Sequence, residues 1–168
     1  MKKLMASLLV SGLVISGVGI YHVEAASGNT SQTVEQLTHG QKNLEDVNIG
    51  ESINKVTKKY GTPIYSKEPS GKEHYYEYRT SKGVLVVTAN GQKDHGYVTR
   101  ISMTYNKADG PTYKHVKHLV GNKAIARVQY NSVSGNFGYI ENGKTTYQFA
   151  SNSPKDKNIK LYRIDIAK

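Results

Sequence analysis

The sequence predicts an α+β protein made of two tandem copies of one helix-plus-antiparallel-sheet unit. Three observations predict it. A short amphipathic helical pattern occurs twice, and its two copies lie 60 residues apart. Each copy is followed by runs of β-branched and aromatic residues that Gly-containing turns separate. The order of elements, the helix ends and the offset agree between the two windows, which is typical of an internal repeat.

The first helix is predicted over residues 51–60. Ile53, Val56 and Tyr60 stand at positions i, i+3 and i+7, so they form one apolar stripe. Gly61 follows the stripe, and glycine at this position commonly ends a helix. A second helix is predicted over residues 112–120. Its matching residues are Tyr113, Val116, Val120 and Gly121.

Four β-type segments are predicted after each helix. In chain order they cover residues 64–65, 74–79, 84–89, 97–105, 124–130, 137–140, 145–149 and 159–166. The turn at Lys82-Gly83 recurs as Asn142-Gly143, again 60 residues later. We therefore place the two units at residues 47–109 and 110–168.

Export is predicted from the start of the chain. A positively charged beginning, an apolar run and a small-residue cleavage site predict a signal peptide over residues 1–25. A single membrane anchor is the alternative, although the apolar run is short for a bilayer. The expected product is secreted, with no membrane insertion after cleavage, and is either released or held loosely and non-covalently at the cell wall of a Gram-positive bacterium.

A flexible leader is expected over residues 26–46. This stretch is rich in Ser, Thr, Gln, Asn and Gly and has few large apolar groups. Such a composition buries too little surface to offset the entropy of ordering. A helical turn over residues 33–38 is the only structure we expect in it.

Charge and cysteine content narrow the class of function. Without residues 1–25, the chain carries 21 Lys and Arg against 12 Asp and Glu, so acidic partners such as nucleic acid are candidates. Many exported proteins are basic without binding anything through their charge, and this alternative stays open. Residues 110–168 hold ten basic and three acidic residues, and a polyanion should prefer this unit. The chain has no cysteine, which excludes disulfides.

Alternation in the last strand of each unit predicts one buried and one open sheet face. The residues expected on the buried face are Tyr97, Ile101, Met103, Tyr105, Tyr162, Ile164 and Ile166. Arg100 and Arg163 then recur at equivalent places on the open face, and Tyr75 and Arg79 join them from an earlier strand. These four residues are the candidate ligand-binding set, because Arg and Tyr are enriched at binding hot spots. Ion pairing with a neighbouring carboxylate is the alternative role for the arginines.

The protein is predicted not to be an enzyme. The sequence contains no Gly-x-Ser-x-Gly elbow, Walker loop or His-Glu-x-x-His motif. His115 and His118 stand at i, i+3 and form the best metal candidate, but no third ligand accompanies them. Lysines at the matching places of the first helix favour a solvated basic face instead. This secondary candidate surface consists of Lys55, Lys58, Lys114 and Lys117. We expect neither a cofactor nor a metal.

The first unit resembles known repeats. The segments Ile49-Gly50-Glu51-Ser52 and Tyr60-Gly61-Thr62-Pro63, with Val56 between them, are similar to the opening of small repeats in the β-lactamase-inhibitor-like fold, which outer-membrane assembly lipoproteins of the SmpA/OmlA type share. Residues 48–105 also resemble the C-terminal part of the staphylococcal immunodominant antigen B family. The second unit departs from the pattern, because Asn122-Lys123 replaces Thr-Pro and no Ile-Gly-x-Ser precedes its helix.

The resemblance implies a concave, aromatic-rich sheet that faces a protein partner. It also implies extracellular nucleic-acid binding and host interaction, and it brings no catalytic residues. Two functions follow for a monomeric protein. The first is a secreted binder of polyanions, with nucleic acid as the leading ligand, and the second is a protein-binding module that acts as an enzyme inhibitor or host-interaction factor. The affinity for phosphates falls steeply as the salt concentration rises, whereas the affinity of a buried Tyr-centred interface changes little.

Overall fold

The computed structural model describes residues 25–168, and it has the predicted α+β class. The signal peptide predicted over residues 1–25 lies outside the described residues, apart from Ala25. The helices are α1 Ser31–Thr38, α2 Ile53–Tyr60 and α3 Tyr113–Val120. The strands are β1 Asn43–Leu44, β2 Val47–Asn48, β3 Ile64–Lys67, β4 His74–Arg79, β5 Gly83–Ala89, β6 Val98–Tyr105, β7 Ile125–Gln129, β8 Phe137–Asn142, β9 Thr145–Ala150 and β10 Lys160–Ala167.

Eight of these strands form one antiparallel sheet in the order β3-β4-β5-β6-β10-β9-β8-β7. The strands on either side of the centre are β6 and β10, which pair with Thr104 opposite Arg163 and Ser102 opposite Asp165. The short strands β1 and β2 pair only with each other. In chain order, a helix followed by four strands occurs twice, first as α2 with β3 to β6 and then as α3 with β7 to β10.

The three helices cover one face of the sheet. Tyr147 on β9 donates a hydrogen bond to the carbonyl of Val34 in α1, at 3.5 Å. The ring of Tyr60 in α2 packs 5.4 Å from that of Tyr78, and Tyr113 at the start of α3 meets Phe149 edge-on. The other face of the sheet carries no helix among the described residues, so it is open to solvent.

The two predicted helices are present and end as expected. Val56 and Val116 occupy matching buried positions in α2 and α3. The chain leaves the helices at Gly61 and Gly121 with φ angles of 83° and 80°, a backbone region that favours glycine. The side chain of Thr112 accepts a hydrogen bond from the first turn of α3, which defines its start.

The expected flexible leader over residues 26–46 is wrong. This segment forms α1, β1 and part of the core, in which Ala26, Val34 and Leu44 are fully buried. The average composition hides two features: Val34 and Leu37 stand on one side of a two-turn helix, and Thr30 caps that helix by accepting the amide of Thr33. A few well-placed apolar residues therefore help to order a segment whose average composition is polar.

Glu45 joins this N-terminal segment to the sheet. Its carboxylate, which is only 6% exposed, accepts hydrogen bonds from Lys82 at 2.7 Å, Ser27 at 2.8 Å and Tyr105 at 3.0 Å, as well as from a backbone amide. The hydroxyl of Tyr60 donates a hydrogen bond to the backbone carbonyl of Glu45. Burial acts to raise the pKa of Glu45, but the hydrogen bonds outweigh it and lower that pKa below its ordinary value.

Two aromatic residues expected on the buried face are not there. The register of β10 against β9 shifts between Leu161 and Arg163, so the strand bulges at Tyr162. Leu161 fills the core, and Tyr162 turns to the open face. Tyr97 is 60% exposed and precedes β6, whose first residue, Val98, is buried in its place. Strict alternation cannot anticipate a bulge, because one extra residue reverses every side chain beyond it.

Candidate binding face

The strand register arranges the open face in rows that run across the sheet. One row lies next to the bulge and crosses seven strands. It contains Arg79, Val84, Thr104, Arg163, Gln148, Tyr139 and Arg127. A parallel row four residues away contains Tyr75, Thr88, Arg100 and Ala167. The two arginines that recur in the sequence therefore lie on neighbouring central strands, in different rows.

A groove of about 610 Å³ crosses the centre of this face. It brings together three of the four predicted residues, Tyr75, Arg100 and Arg163, and adds Lys144 from the β8–β9 turn. The fourth, Arg79, does not line the groove. It lies exposed at the end of β4 beside Glu77, with 3.4 Å between Nε and the carboxylate.

Arg163 is held by an ion pair inside the groove. Its guanidinium lies 2.8 Å from Oδ1 of Asp165, and its Nε donates to the same carboxylate at 3.1 Å. The hydrogen bonding to Asp165 raises the pKa of the guanidinium. Gln148 donates to this carboxylate as well, at 3.1 Å. Asp165 thus balances much of the positive charge of Arg163. Ion pairing with a neighbouring carboxylate was the alternative role that the sequence suggested for the arginines of this face.

Arg100 forms no ion pair with any residue between 25 and 168, and its side chain is exposed. Its partner across the β6–β10 pairing is Ala167, whose amide donates to the carbonyl of Lys144 at 2.9 Å. Arg100 and Lys144 therefore flank the same end of β10. This end of the groove, which we call the cationic end and define by these two residues, carries positive charge that no carboxylate of the described chain offsets through an ion pair.

A second cleft of about 700 Å³ opens at the β7–β8 side of the same face. Its walls include Phe137 and Tyr139, which are 47% and 39% exposed, together with Tyr162 and Arg127. We call this the aromatic cleft. Sequence reasoning missed it. The alternation of Phe137, Tyr139 and Glu141 on one side of β8 was a signal that these rings share the face of a charged residue.

The two clefts are continuous. Glu141, Thr146 and Gln148 line both of them. The combined face therefore has a cationic end, a balanced centre and an aromatic cleft, all on one side of the sheet.

The secondary basic surface does not join this face. Lys55, Lys58, Lys114 and Lys117 are all exposed, but they project from α2 and α3 on the helical layer, on the opposite side of the sheet. His115 and His118 are exposed on α3 as well. Within residues 25–168, no three His, Asp or Glu side chains are grouped so that they could hold a metal ion.

Asp165 and Ser102 stand opposite each other at the centre of the groove. The carboxylate of Asp165 accepts hydrogen bonds from both Arg163 and Gln148. Ser102, which stands opposite Asp165 in the pairing of β6 with β10, is nearly buried.

Across the described chain, none of the three helices is long and apolar enough to cross a membrane.

Comparison with known proteins places the chain in a family. No curated protein shows significant similarity to it. Among solved structures, a DUF4309 family protein (YjgB) from Bacillus subtilis subsp. subtilis str. 168 is similar at 14% sequence identity and a TM-score of 0.45, over 83% of this chain and 99% of that one. A family model described as SA0570-like matches residues 1–167. The chain belongs to the SA0570-like family.

Proposed function

We propose that this protein is a secreted, non-enzymatic binding protein whose open sheet face binds polyanions, with nucleic acid as the leading ligand. The observation that carries this proposal is the cationic end of the groove, where Arg100 and Lys144 have no ion-pair partner within residues 25–168. Cations without a protein partner are available to phosphate oxygens, which they contact without regard to base sequence. The overall excess of basic residues supports the same ligand class.

We also propose that residues 47–109 and 110–168 are two copies of one unit, as in the tandem β-lactamase-inhibitor-like fold. Support comes from the repeated order of one helix and four strands, the 60-residue offset of the helix stripes, and the central pairing of the last strand of each half. In this reading, Arg100 and Arg163 descend from one ancestral position. They have since diverged, because Arg163 has acquired a carboxylate partner and Arg100 has not.

Protein binding by the same Tyr- and Arg-bearing face is the second candidate. The exposed rings of Phe137 and Tyr139 favour it, because large exposed apolar groups on a soluble domain commonly mark an interface. An enzyme inhibitor or a host-interaction factor would use the face in this way.

The test measures binding of the chain from residue 26 onward to a fluorescently labelled oligonucleotide, between 50 and 200 mM salt. Arg100→Ala combined with Lys144→Ala should weaken binding and reduce the slope of log K against log salt by about two, one for each lost phosphate contact. Arg163→Ala combined with Asp165→Asn should have the smaller effect, because it removes a balanced ion pair and leaves the net charge of the groove unchanged.

The matched control is Lys55→Ala combined with Lys58→Ala. It removes the same net charge from the helical layer, so it separates a local contact from a general effect of charge. If the control pair weakens binding as much as the groove pair, the helical layer is the binding surface and the proposed site is wrong. If the parent protein binds no nucleic acid even at 50 mM salt, the polyanion function is wrong and the protein-binding candidate replaces it.

A further inference from the structure

We propose that the nucleic acid bound by this face is single-stranded, and that its bases stack on Phe137 and Tyr139 in the aromatic cleft. This inference rests on the proposed function, because it names the form of the polyanion. It assigns the phosphates to the cationic end and the neighbouring part of the groove, and the bases to the opposite end of the same face.

The exposure of the two rings supports a stacking role. Phe137 and Tyr139 leave 47% and 39% of their surface in water, although β8 lies inside the sheet with a strand on each side. Gly138 lies between the two rings in sequence and faces the core. The core is tightly packed there, because a Cβ built on Gly138 would lie 2.7 Å from Ile159 and 3.2 Å from Tyr113. The two rings are therefore committed to the open face, where core packing does not require aromatic residues.

The spacing of the two rings along β8 suits a base. Two residues apart on one strand, Phe137 and Tyr139 begin about 7 Å from each other. A nucleic-acid base is about 3.4 Å thick, as the rise per base in a duplex shows. The gap between the two rings therefore suits one base with a ring on each side. The register adds Arg127 opposite Tyr139 and Gln129 opposite Phe137, so that a cation and an amide border the same pair of rings.

The aromatic cleft is continuous with the rest of the groove, which leads to the cationic end. Because Gln148 and Thr146 line both clefts, no wall separates the rings from the groove. From β6, which carries Arg100, to β8, which carries the rings, there are three strand spacings, or about 14 Å across the sheet. Tyr139 shares a row with Thr104, which lies four residues or about 13 Å along β6 from Arg100, so the two sites are about 20 Å apart. A few nucleotides of extended chain bridge that distance, and the length agrees with sites of about 4 to 16 nucleotides on other sheet surfaces that bind single strands.

A duplex fits this arrangement less well. In double-stranded DNA both faces of each base are already stacked, so the rings could reach a base only after local unstacking. Glu141 is exposed between the two clefts and would repel a second phosphate backbone laid across the face. A single strand can pass this carboxylate with its bases turned toward the rings.

The test compares four probes of similar phosphate content: a 20-mer of thymidine, a 20-mer of the same backbone without bases, a 10-base-pair duplex, and inorganic polyphosphate of about 20 phosphates. The parent should bind the thymidine 20-mer at least about 5-fold more tightly than the abasic strand, because stacking contributes to affinity at each base. Phe137→Ala combined with Tyr139→Ala should abolish this preference and leave polyphosphate binding unchanged. Tyr97→Ala is the matched control, since it removes an exposed ring that lines neither cleft.

A second variant reports on stacking directly. The chain has no tryptophan, so Phe137→Trp introduces a single indole at the proposed platform. The thymidine strand should quench its fluorescence, whereas the abasic strand and polyphosphate should not. Equal affinity for all probes, with no quenching, would overturn the single-strand inference while the polyanion function stands. Failure of the parent to bind any of the probes at low salt would overturn both.

Discussion

Replacing Glu45 with Gln is the sharpest test of how the N-terminal segment is attached to the sheet. Gln keeps the size of the side chain, removes its charge, and replaces one acceptor oxygen by an NH2 group that can only donate. In the folded protein the carboxylate accepts hydrogen bonds from Lys82, Ser27 and Tyr105 and from the amide of Gly28. Ser27 and Gly28 belong to the segment that was expected to be a flexible leader, and Lys82 and Tyr105 belong to the sheet region of the chain. One substitution therefore weakens the whole junction.

The expected loss in the free energy of unfolding is about 2–4 kcal/mol. A hydrogen bond to a charged group contributes about 1.5–3 kcal/mol, and bonds that share one acceptor group are not additive. Lys82 contributes at the lower end, because its side chain is 52% exposed and water can replace its partner. The other three donors are less able to find water, and an amide oxygen accepts from them less strongly than a carboxylate does.

The loss should depend on pH with a definite sign. The pKa of Glu45 is lowered in the folded state from its ordinary value of 4.5. A lowered folded-state pKa stabilises the protein above the unfolded-state pKa, and this stabilisation disappears as the pH falls through the folded-state value. The difference between parent and variant should therefore be full at pH 7 and should shrink as the pH drops below about 4.5.

The assay is urea unfolding followed by far-ultraviolet circular dichroism at pH 7 and at several acidic values. Glu35→Gln is the matched control, because it makes the same chemical change on the exposed side of α1 and should leave the urea midpoint unchanged. A Glu45→Gln variant as stable as the parent at pH 7 would refute the role given to this carboxylate. A difference that grows on acidification would refute the sign of the pKa shift.

Three further predictions concern packing. Leu37→Ala should lower the free energy of unfolding by about 2–5 kcal/mol in urea titrations, because it empties a buried site, and an unchanged midpoint would mean that α1 does not pack. Val116→Asp should prevent folding, seen as loss of the far-ultraviolet signal, since it buries an unpaired charge. Gly83→Ala should cost about 2 kcal/mol or more, because its Cβ would lie 2.0 Å from the carbonyl oxygen of Thr104, whereas Gly143→Ala meets no atom within 4 Å and should cost less.

The α+β class and both predicted helices could be read from the sequence because the signals were local. Apolar residues at helical spacing and a terminal glycine determine α2 and α3 within two residues of the predicted bounds. Period-two alternation also placed Tyr75, Arg100 and Arg163 on one face, and the structure brings them into one groove. Alternation could not predict the charge balance in the groove, because the ion pair between Arg163 and Asp165 depends on side-chain rotamers that the pattern does not encode.

The N-terminal segment and the aromatic cleft were missed for different physical reasons. The ordering of residues 26–46 depends on Glu45, whose partners Lys82 and Tyr105 are distant in sequence, and composition carries no trace of such contacts. The aromatic cleft depends on the bulge that turns Tyr162 outward beside Tyr139. A bulge is a tertiary adjustment of two strands, so it cannot be read from one of them.

The central position of β10 has a consequence for how the protein folds. Although β10 comes last among the ten strands, it is inserted between β6 and β9, and its pairs with β6 join residues about 60 positions apart. Non-local pairing of this kind slows folding, because the chain loses loop entropy before it gains the contact. Until residues 160–167 are in place, β6 and β9 are unprotected edges that invite wrong partners. The groove straddles β6 and β10, so it takes shape only once β10 has docked. We therefore expect any binding by the groove to appear no earlier than that docking.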